Sequence, residues 1–577
     1  MKRRLMSIAL CIAMLATAVM TSSCGDEDDM SDVGEDQVAS ATTISIWGIK
    51  GKGTTDEAIA EVEAAMSKIT EAQFNTAVKL ELYTEDEYDK ALEKRMDEIQ
   101  ERLDAEAAEA EAKKAAEKEA KKNNGTSDTT TAETSDEEST EEIADETVLD
   151  EYGLPTTLYP EIEDNQLDIF LMTDYDMFMK YSDKGVLSAL DEQLSSSSKL
   201  LKSYINPSLL AAGKIGKTTY AIVNNQQVGE YTFMILNKKM MDKYYYDPDD
   251  FSSLIDAQEF LEVVGNNESV TPYAGVREPV NINYFTSDGS KSVVGSMLDP
   301  NAEAGTEGAP GILIRDKSWK KHITIMKELD ENNWLGSETP TADDNFAVAI
   351  VKGEWSDVEA FEENYYVKVL QNPQGTTENM YNGMFAVSTY TKNLARSMEI
   401  LTYLNTRSDL RNLFAYGIEG VHYELDEDGV VKVLSDDYSM KLEYTGNTFI
   451  AYPPEGSNAD VWEDAKTHNL DLVMSPWFGF DYDEEQLDAD VVKGVKSFSD
   501  RFYNQLDSVS LEELEDWLDD KSSDAKKDDS ISAFIATEVE VDEDDDKKDD
   551  KDEDAVEILP MGKLYADWFS SAYPSAK

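Results

Sequence analysis

Apolar and polar positions along the 577 residues repeat in a strand, loop, helix order. The run ISIW over 44–47 predicts a strand, followed by a Gly-rich loop and a helix. Thr54 or Thr55 is placed to cap that helix, and Asp56 and Glu57 fall in its first turn, where the macrodipole favours acids. Alternation over 78–84 predicts a half-buried strand. A helix then starts near Glu85 and continues to Lys122, losing its apolar stripe after Leu103. A further strand is predicted over 167–172, tipped by Thr173 and Asp174 and followed by an amphipathic helix. Within 213–241, the apolar runs TTYAIV and YTFMIL are split by the amides Asn224, Asn225, Gln226 and Gln227. That pattern reads either as a crossing between two bodies or as an ordinary connection inside one. Helices follow over 251–264 and 319–332, separated by a Gly/Asn/Pro-rich region reaching Gly311. The units on either side of the first acidic stretch predict an α/β body with a largely parallel sheet, whose ligands sit beyond the carboxyl ends of the strands. Trp47, Asp174 and Tyr175 fall at one such rim.

Charge narrows the partners. Asp and Glu number 120 against 52 Lys and Arg, a formal charge of −68, which disfavours nucleic acid and anionic membrane faces. Much of the acid lies in two low-complexity stretches, about 104–147 and about 520–556, which read as solvated surface insertions; a coiled-coil partner helix for the first lacks its a/d seam. The first residues carry Lys2, Arg3 and Arg4, then an apolar run over 5–20 that is shorter than the roughly 20 residues a membrane-spanning helix needs. Thr21-Ser22-Ser23-Cys24 resembles the bacterial lipobox, with Thr21 where Leu is usual. The expectation is a signal peptide over 1–23, lipidation of Cys24 and an acidic tether over 24–43. Cys11 lies in the removed segment, so the folded part holds no cysteine for a disulfide, zinc site or thiol nucleophile.

Enzyme motifs are missing. There is no G-x-S-x-G or H-E-x-x-H, and His322, His422 and His468 are not spaced as metal ligands. His422 reads as a structural hydrogen-bonding residue. Gly48, Gly51 and Gly53 miss both phosphate-loop spacings. Asp426-Glu427-Asp428-Gly429 reads as a hairpin turn rather than a calcium loop. No cofactor or metal is expected.

Several segments resemble the extracellular solute-binding lipoproteins of ABC importers, family 1, including the LipO-like branch. They are ISIWG, YAIVNNQQ with Val223 where the family has Pro, FAVAIVKGEWSD over 346–357, the helix pair closed by YGIEGVHYE, and the Gly-Asn, Ser-Pro, Gly-Phe series over 445–485. The resemblance spans about 44–93 and 167–518. It implies a type II periplasmic-binding-protein fold, two α/β lobes joined by a hinge, interrupted by the acidic insertions. Lobe one would hold 44–225 plus 378–420 and lobe two 226–377 plus 421–577, the chain crossing at 224–230. The implied activity is non-catalytic capture of a solute, a carbohydrate or oligosaccharide in many members, and delivery to a permease by a lipid-anchored monomer. A saccharide site wants aromatic platforms beside amides and carboxylates. Trp47, Tyr175, Trp355, Tyr423 and Trp477 are the candidate platforms, Trp355 foremost, with Asp174, Asn225 and Gln226 as polar partners. A carbohydrate-processing enzyme and a surface adhesion or signalling lipoprotein are the rival readings.

Overall fold

The computed structural model describes residues 40–123, 148–149, 155–156, 158–285, 291–299, 301–302, 305–482, 484–538 and 557–573. Cys24, the signal segment, nearly all of the tether, residues 124–147 of the first acidic insertion and 539–556 of the second lie outside them.

Two sheets organise the chain. The first contains β1 (Thr42–Ile49), β2 (Thr76–Tyr83), β3 (Ile169–Met172) and β4 (Ala221–Val223). The second contains β5 (Tyr231–Asn237), β6 (Thr271–Gly275), β7 (Phe346–Gly353) and β8 (Tyr365–Gln371). The chain then returns to the first sheet as β9 (Met384–Val387), giving the orders β2-β1-β3-β9-β4 and β6-β7-β5-β8. β1 pairs in parallel with β2 and β3, as strand-helix-strand units require, whereas β9 runs antiparallel to both its neighbours because it arrives from the other sheet. The central strands are buried on both faces, which explains their unbroken apolar runs.

Thr55 caps the helix Asp56–Phe74 through Ala58 N–H, and the next helix, Glu85–Asn123, buries Tyr88, Leu92, Met96 and Ile99 before its sequence turns polar. The glycine loop after β1 accommodates a neighbouring loop: Gly51 N–H donates to Ser439 O at 2.8 Å, and a Cβ on Gly51 would sit 2.0 Å from Ser439 Oγ. Asp168 ties the first body's distant pieces together. Its carboxylate accepts from Ser45 N–H (2.9 Å), Ser45 Oγ (3.0 Å), Gln166 Nε2 (2.8 Å) and Thr391 Oγ1 (2.6 Å).

The C-terminal part departs from the expected partition. Tyr438 and Tyr444 belong to the first core and Met440 packs against it, so 438–444 sits on the first sheet. A third core, built on Phe285, Trp319, Phe502, Leu518, Phe534 and Tyr565, joins 282–319 to the C-terminal helices. The helix Lys317–Glu331 serves two of these cores, presenting Trp319 to the third and Ile325 and Leu329 to the second. Helices Leu511–Lys527 and Asp529–Phe534 occupy the start of the expected second insertion, because Ala525, Ile531 and Phe534 are apolar and buried there.

Between β4 and β5 the chain crosses from one sheet to the other over 224–230, and other chain segments satisfy its backbone. Asn224 N–H donates to Gly383 O (3.0 Å), and Asn225 O accepts from Thr448 N–H and Oγ1 (2.8 and 2.9 Å). Asn469 takes two places at once, donating to Gln226 O (2.6 Å) and accepting Val228 N–H (3.1 Å). Gly229 has φ +71, and a Cβ there would meet Gln374 O at 2.7 Å.

Asp168→Ala removes the acceptor of four hydrogen bonds, three of them buried, and is expected to lower stability by about 3 kcal/mol, read as a lower urea midpoint at unchanged slope. Asn469→Ala is expected to cost about 2 kcal/mol and to accelerate hydrogen exchange at the Val228 amide; exchange as slow as wild type would contradict the role given to this side chain.

Candidate functional site

Two aromatic groups are linked to the crossover, one through Gln226 and the other through Tyr231. On the first body, Tyr175 opens the helix Tyr175–Asp183, which Asp174 caps by accepting Met177 N–H at 2.8 Å. Tyr175 lies 4.8 Å from Tyr381, and Tyr381 stacks on Phe478 at 5.8 Å with the rings 4° from parallel. Tyr381 is buried, whereas Tyr175 and Phe478 are half-exposed. The group is tied to the crossover because Gln226 Nε2 donates to the carbonyl of Asn382, next to Tyr381. Burial and the charge of Asp481 push the Tyr175 phenol above its ordinary value, so it remains a neutral donor and acceptor.

On the second body, Trp355 begins the short helix Trp355–Val358 beyond the end of β7. Its indole meets Phe233 at 5.0 Å and Tyr231 at 5.9 Å, both edge-on, and 38% of the residue is exposed. Tyr231 donates its hydroxyl to Asp471 Oδ2 at 2.9 Å and packs edge-on against His468 at 4.9 Å. Burial, then Asp471, raises the Tyr231 phenol well above its ordinary value.

The other expected site residues are spread more widely. Trp47 is buried and stacked on Tyr83 at 5.4 Å, a core position at the end of β1. Asn225 donates to Tyr204 O at 2.8 Å and accepts Asn206 N–H at 3.3 Å. Its amide, like that of Gln226, is engaged in holding the crossover. Tyr423 is buried in the pairing of Tyr423–Leu425 with Val431–Val433, near Tyr416 and Tyr452. The turn of that hairpin contains Asp426 to Gly429. Trp477 turns toward the third core and donates Nε1–H to Gly308 O at 3.0 Å. Tyr175 and Trp355 therefore combine half-exposed rings with a position beside the crossover.

Sequence reasoning missed Tyr231, Tyr381, Phe478 and His468. Phe478 lay inside the quoted Ser-Pro, Gly-Phe series, but Trp477 beside it drew the assignment. His468 was one of three scattered histidines with no motif around it. Its Nε2 lies 3.0 Å from Val228 O and its Nδ1 2.5 Å from Glu354 Oε2. Burial opposes its protonation, yet Glu354 and the carbonyls of Val228 and Gly229 outweigh burial and raise its pKa above 6.5. His422 accepts Ile418 N–H at 2.9 Å. His322 approaches Arg277 O at 2.8 Å, and burial pushes its pKa down. Among the described residues no cluster of His, Cys, Asp and Glu is arranged to hold a metal ion, and no helix is long and apolar enough to cross a membrane.

No protein-family model matches the chain. A carbohydrate ABC transporter substrate-binding protein of Streptococcus pneumoniae serotype 4 is 22% identical over 339 residues, covering 55% of this chain and 67% of that protein. Among solved structures, the N-glycan transport solute-binding protein of Streptococcus pneumoniae is 17% identical, with a TM-score of 0.45 over 84% of this chain and 98% of that one. The complex of that protein with Man5GlcNAc is 16% identical, with a TM-score of 0.40 over 92% and 99%. By sequence, the chain is similar to a substrate-binding protein of a carbohydrate ABC transporter.

Proposed function

We propose that this protein is an extracytoplasmic, lipid-anchored solute-binding protein that captures an oligosaccharide in a cleft between two lobes and passes it to an ABC import permease without chemical change. The observation that carries the reading is the pair of half-exposed aromatic surfaces, Tyr175 with Phe478 and Trp355, linked to one crossover segment through Gln226 and Tyr231 respectively. Sugar rings present apolar C–H faces that stack on such surfaces, and Asp174 beside Tyr175 supplies an exposed carboxylate for hydroxyls. The sequence relative named for carbohydrate transport supports the same substrate class. The anchor rests on Cys24 and the basic and apolar residues before it. The lobes of this reading are the first sheet, with helices Leu394–Thr406 and Ser408–Tyr416 and the segment around Tyr438 and Tyr444 packed on it, and the second sheet with the third core.

A ligand that touches both surfaces binds the closed arrangement better than the open one, and that difference in contacts alone drives closure. Calorimetry of the full chain against Man5GlcNAc and a panel of other oligosaccharides tests the reading; no binding by any member would overturn it. Trp355→Ala is expected to weaken the affinity by about tenfold or more, roughly 1.4 kcal/mol, while changing stability by less than about 1 kcal/mol because the side chain is partly exposed. Undiminished affinity in that variant would remove Trp355 from the site.

A further inference from the structure

The ring of His468 is 3% exposed, and both of its nitrogens face oxygen acceptors. Nε2 meets the Val228 carbonyl in the crossover at 3.0 Å. Nδ1 lies 2.5 Å from Glu354 Oε2 in an ion-pair contact that is not lined up as an N–H···O hydrogen bond. The imidazolium donates Nε2–H to the Val228 carbonyl and sets its positive charge against the Glu354 carboxylate; a neutral imidazole loses that charge and carries only one N–H. Deprotonation must therefore loosen either the crossover or Glu354.

Glu354 immediately precedes Trp355 and belongs to the same turn. Its N–H donates to Asp357 Oδ2 at 2.8 Å and its carbonyl accepts Asp357 N–H at 3.1 Å. Gly353, at φ +150, allows this turn to close, since a Cβ there would sit 2.5 Å from Asp357 Oδ2. The titratable groups around the imidazole are Glu354 from the end of β7, Tyr231 from β5 and, through the Tyr231 hydroxyl, Asp471 just beyond the histidine's own helix. Tyr231 also touches the Trp355 indole, so ring, carboxylate and indole form one contact set.

We propose that protonated His468 is a positioning residue for Trp355: by holding Glu354 and the Val228 carbonyl together it fixes the indole relative to the crossover, and affinity in the cleft falls as the imidazole loses its proton. The effect on affinity rests on the function proposed above; the effect on the indole does not. The direction follows from the environment of His468. Its pKa in the folded protein is raised, so the stabilising contact is complete below the ordinary value of 6.5 and is lost as pH climbs through the folded value.

The test uses the full chain labelled with 5-fluorotryptophan, the Trp355 resonance being assigned by its loss in Trp355→Phe. In wild type this resonance is expected to shift as pH rises through a midpoint above the ordinary histidine value, and to stay fixed in His468→Asn and in Glu354→Gln. If His468→Asn does not fold, Glu354→Gln makes the same test. A pH-invariant Trp355 resonance in wild type, or a titration that persists in a folded variant, overturns the proposal. In parallel, affinity for Man5GlcNAc is expected to weaken about fivefold or more across the same titration in wild type and to remain flat in His468→Asn. If Trp355→Ala weakens binding while wild-type affinity stays flat with pH, this inference fails alone. If Trp355→Ala binds as wild type does, the assignment of Trp355 to the site fails instead.

Discussion

A chain that leaves one sheet and enters another loses its ladder partners on the way, and here the passage at 224–230 lies largely buried. Buried backbone N–H and C=O groups must find partners, and at this point the partners are mostly side chains from elsewhere. Asn469 serves Gln226 and Val228 from more than 240 positions further along the chain, and His468 serves Val228 beside it. The amides at 224–226 reach outward in return, to Glu443, Tyr204 and Asn382. The crossover is thus completed only when the C-terminal part has folded onto it. The satisfaction is not total: Asn224 Oδ1 and Gln374 Oε1 are buried there without a hydrogen-bond partner, each of a kind that costs about 1–3 kcal/mol.

This constraint accounts for features that otherwise look unrelated. Gly229 is required where the chain passes against Gln374, and Gln374–Gly375 pairs with Val473–Met474, bringing the return segment and the end of helix Val461–Leu470 together. Because the same helix end carries Asn469, His468 and Asp471, it touches the crossover, the turn before Trp355 and Tyr231. The residues that hold the chain between sheets are therefore neighbours of those that present the aromatic surface.

Much of the architecture was legible because it is local. The strand at the start of the folded part, the capped helix after it and the strand before Asp174 follow from periodicity and capping alone, and the amides at 224–227 do mark the passage between sheets. Legibility ended where pairing is distant. Nothing near Tyr438 or Tyr444 says that they join the first core, and the acidic surface of helix Leu511–Lys527 hides the spacing of Leu514, Leu518 and Ala525 that buries it. At the site, an aromatic at a strand end looks the same whether it stacks inside, as Trp47 does, or stays half-open, as Tyr175 does. Asn225 and Gln226 lie on the crossover, and their side-chain amides are engaged there by backbone carbonyls rather than open to a ligand. His468 carried no sequence signal because each of its partners comes from a different part of the chain.

The central claim is that the crossover joins two bodies that close on an oligosaccharide. Small-angle X-ray scattering of the full chain, with and without an oligosaccharide that calorimetry shows to bind, at a saturating concentration, tests it directly. The account predicts a smaller radius of gyration in the complex; binding with an unchanged scattering profile would contradict it.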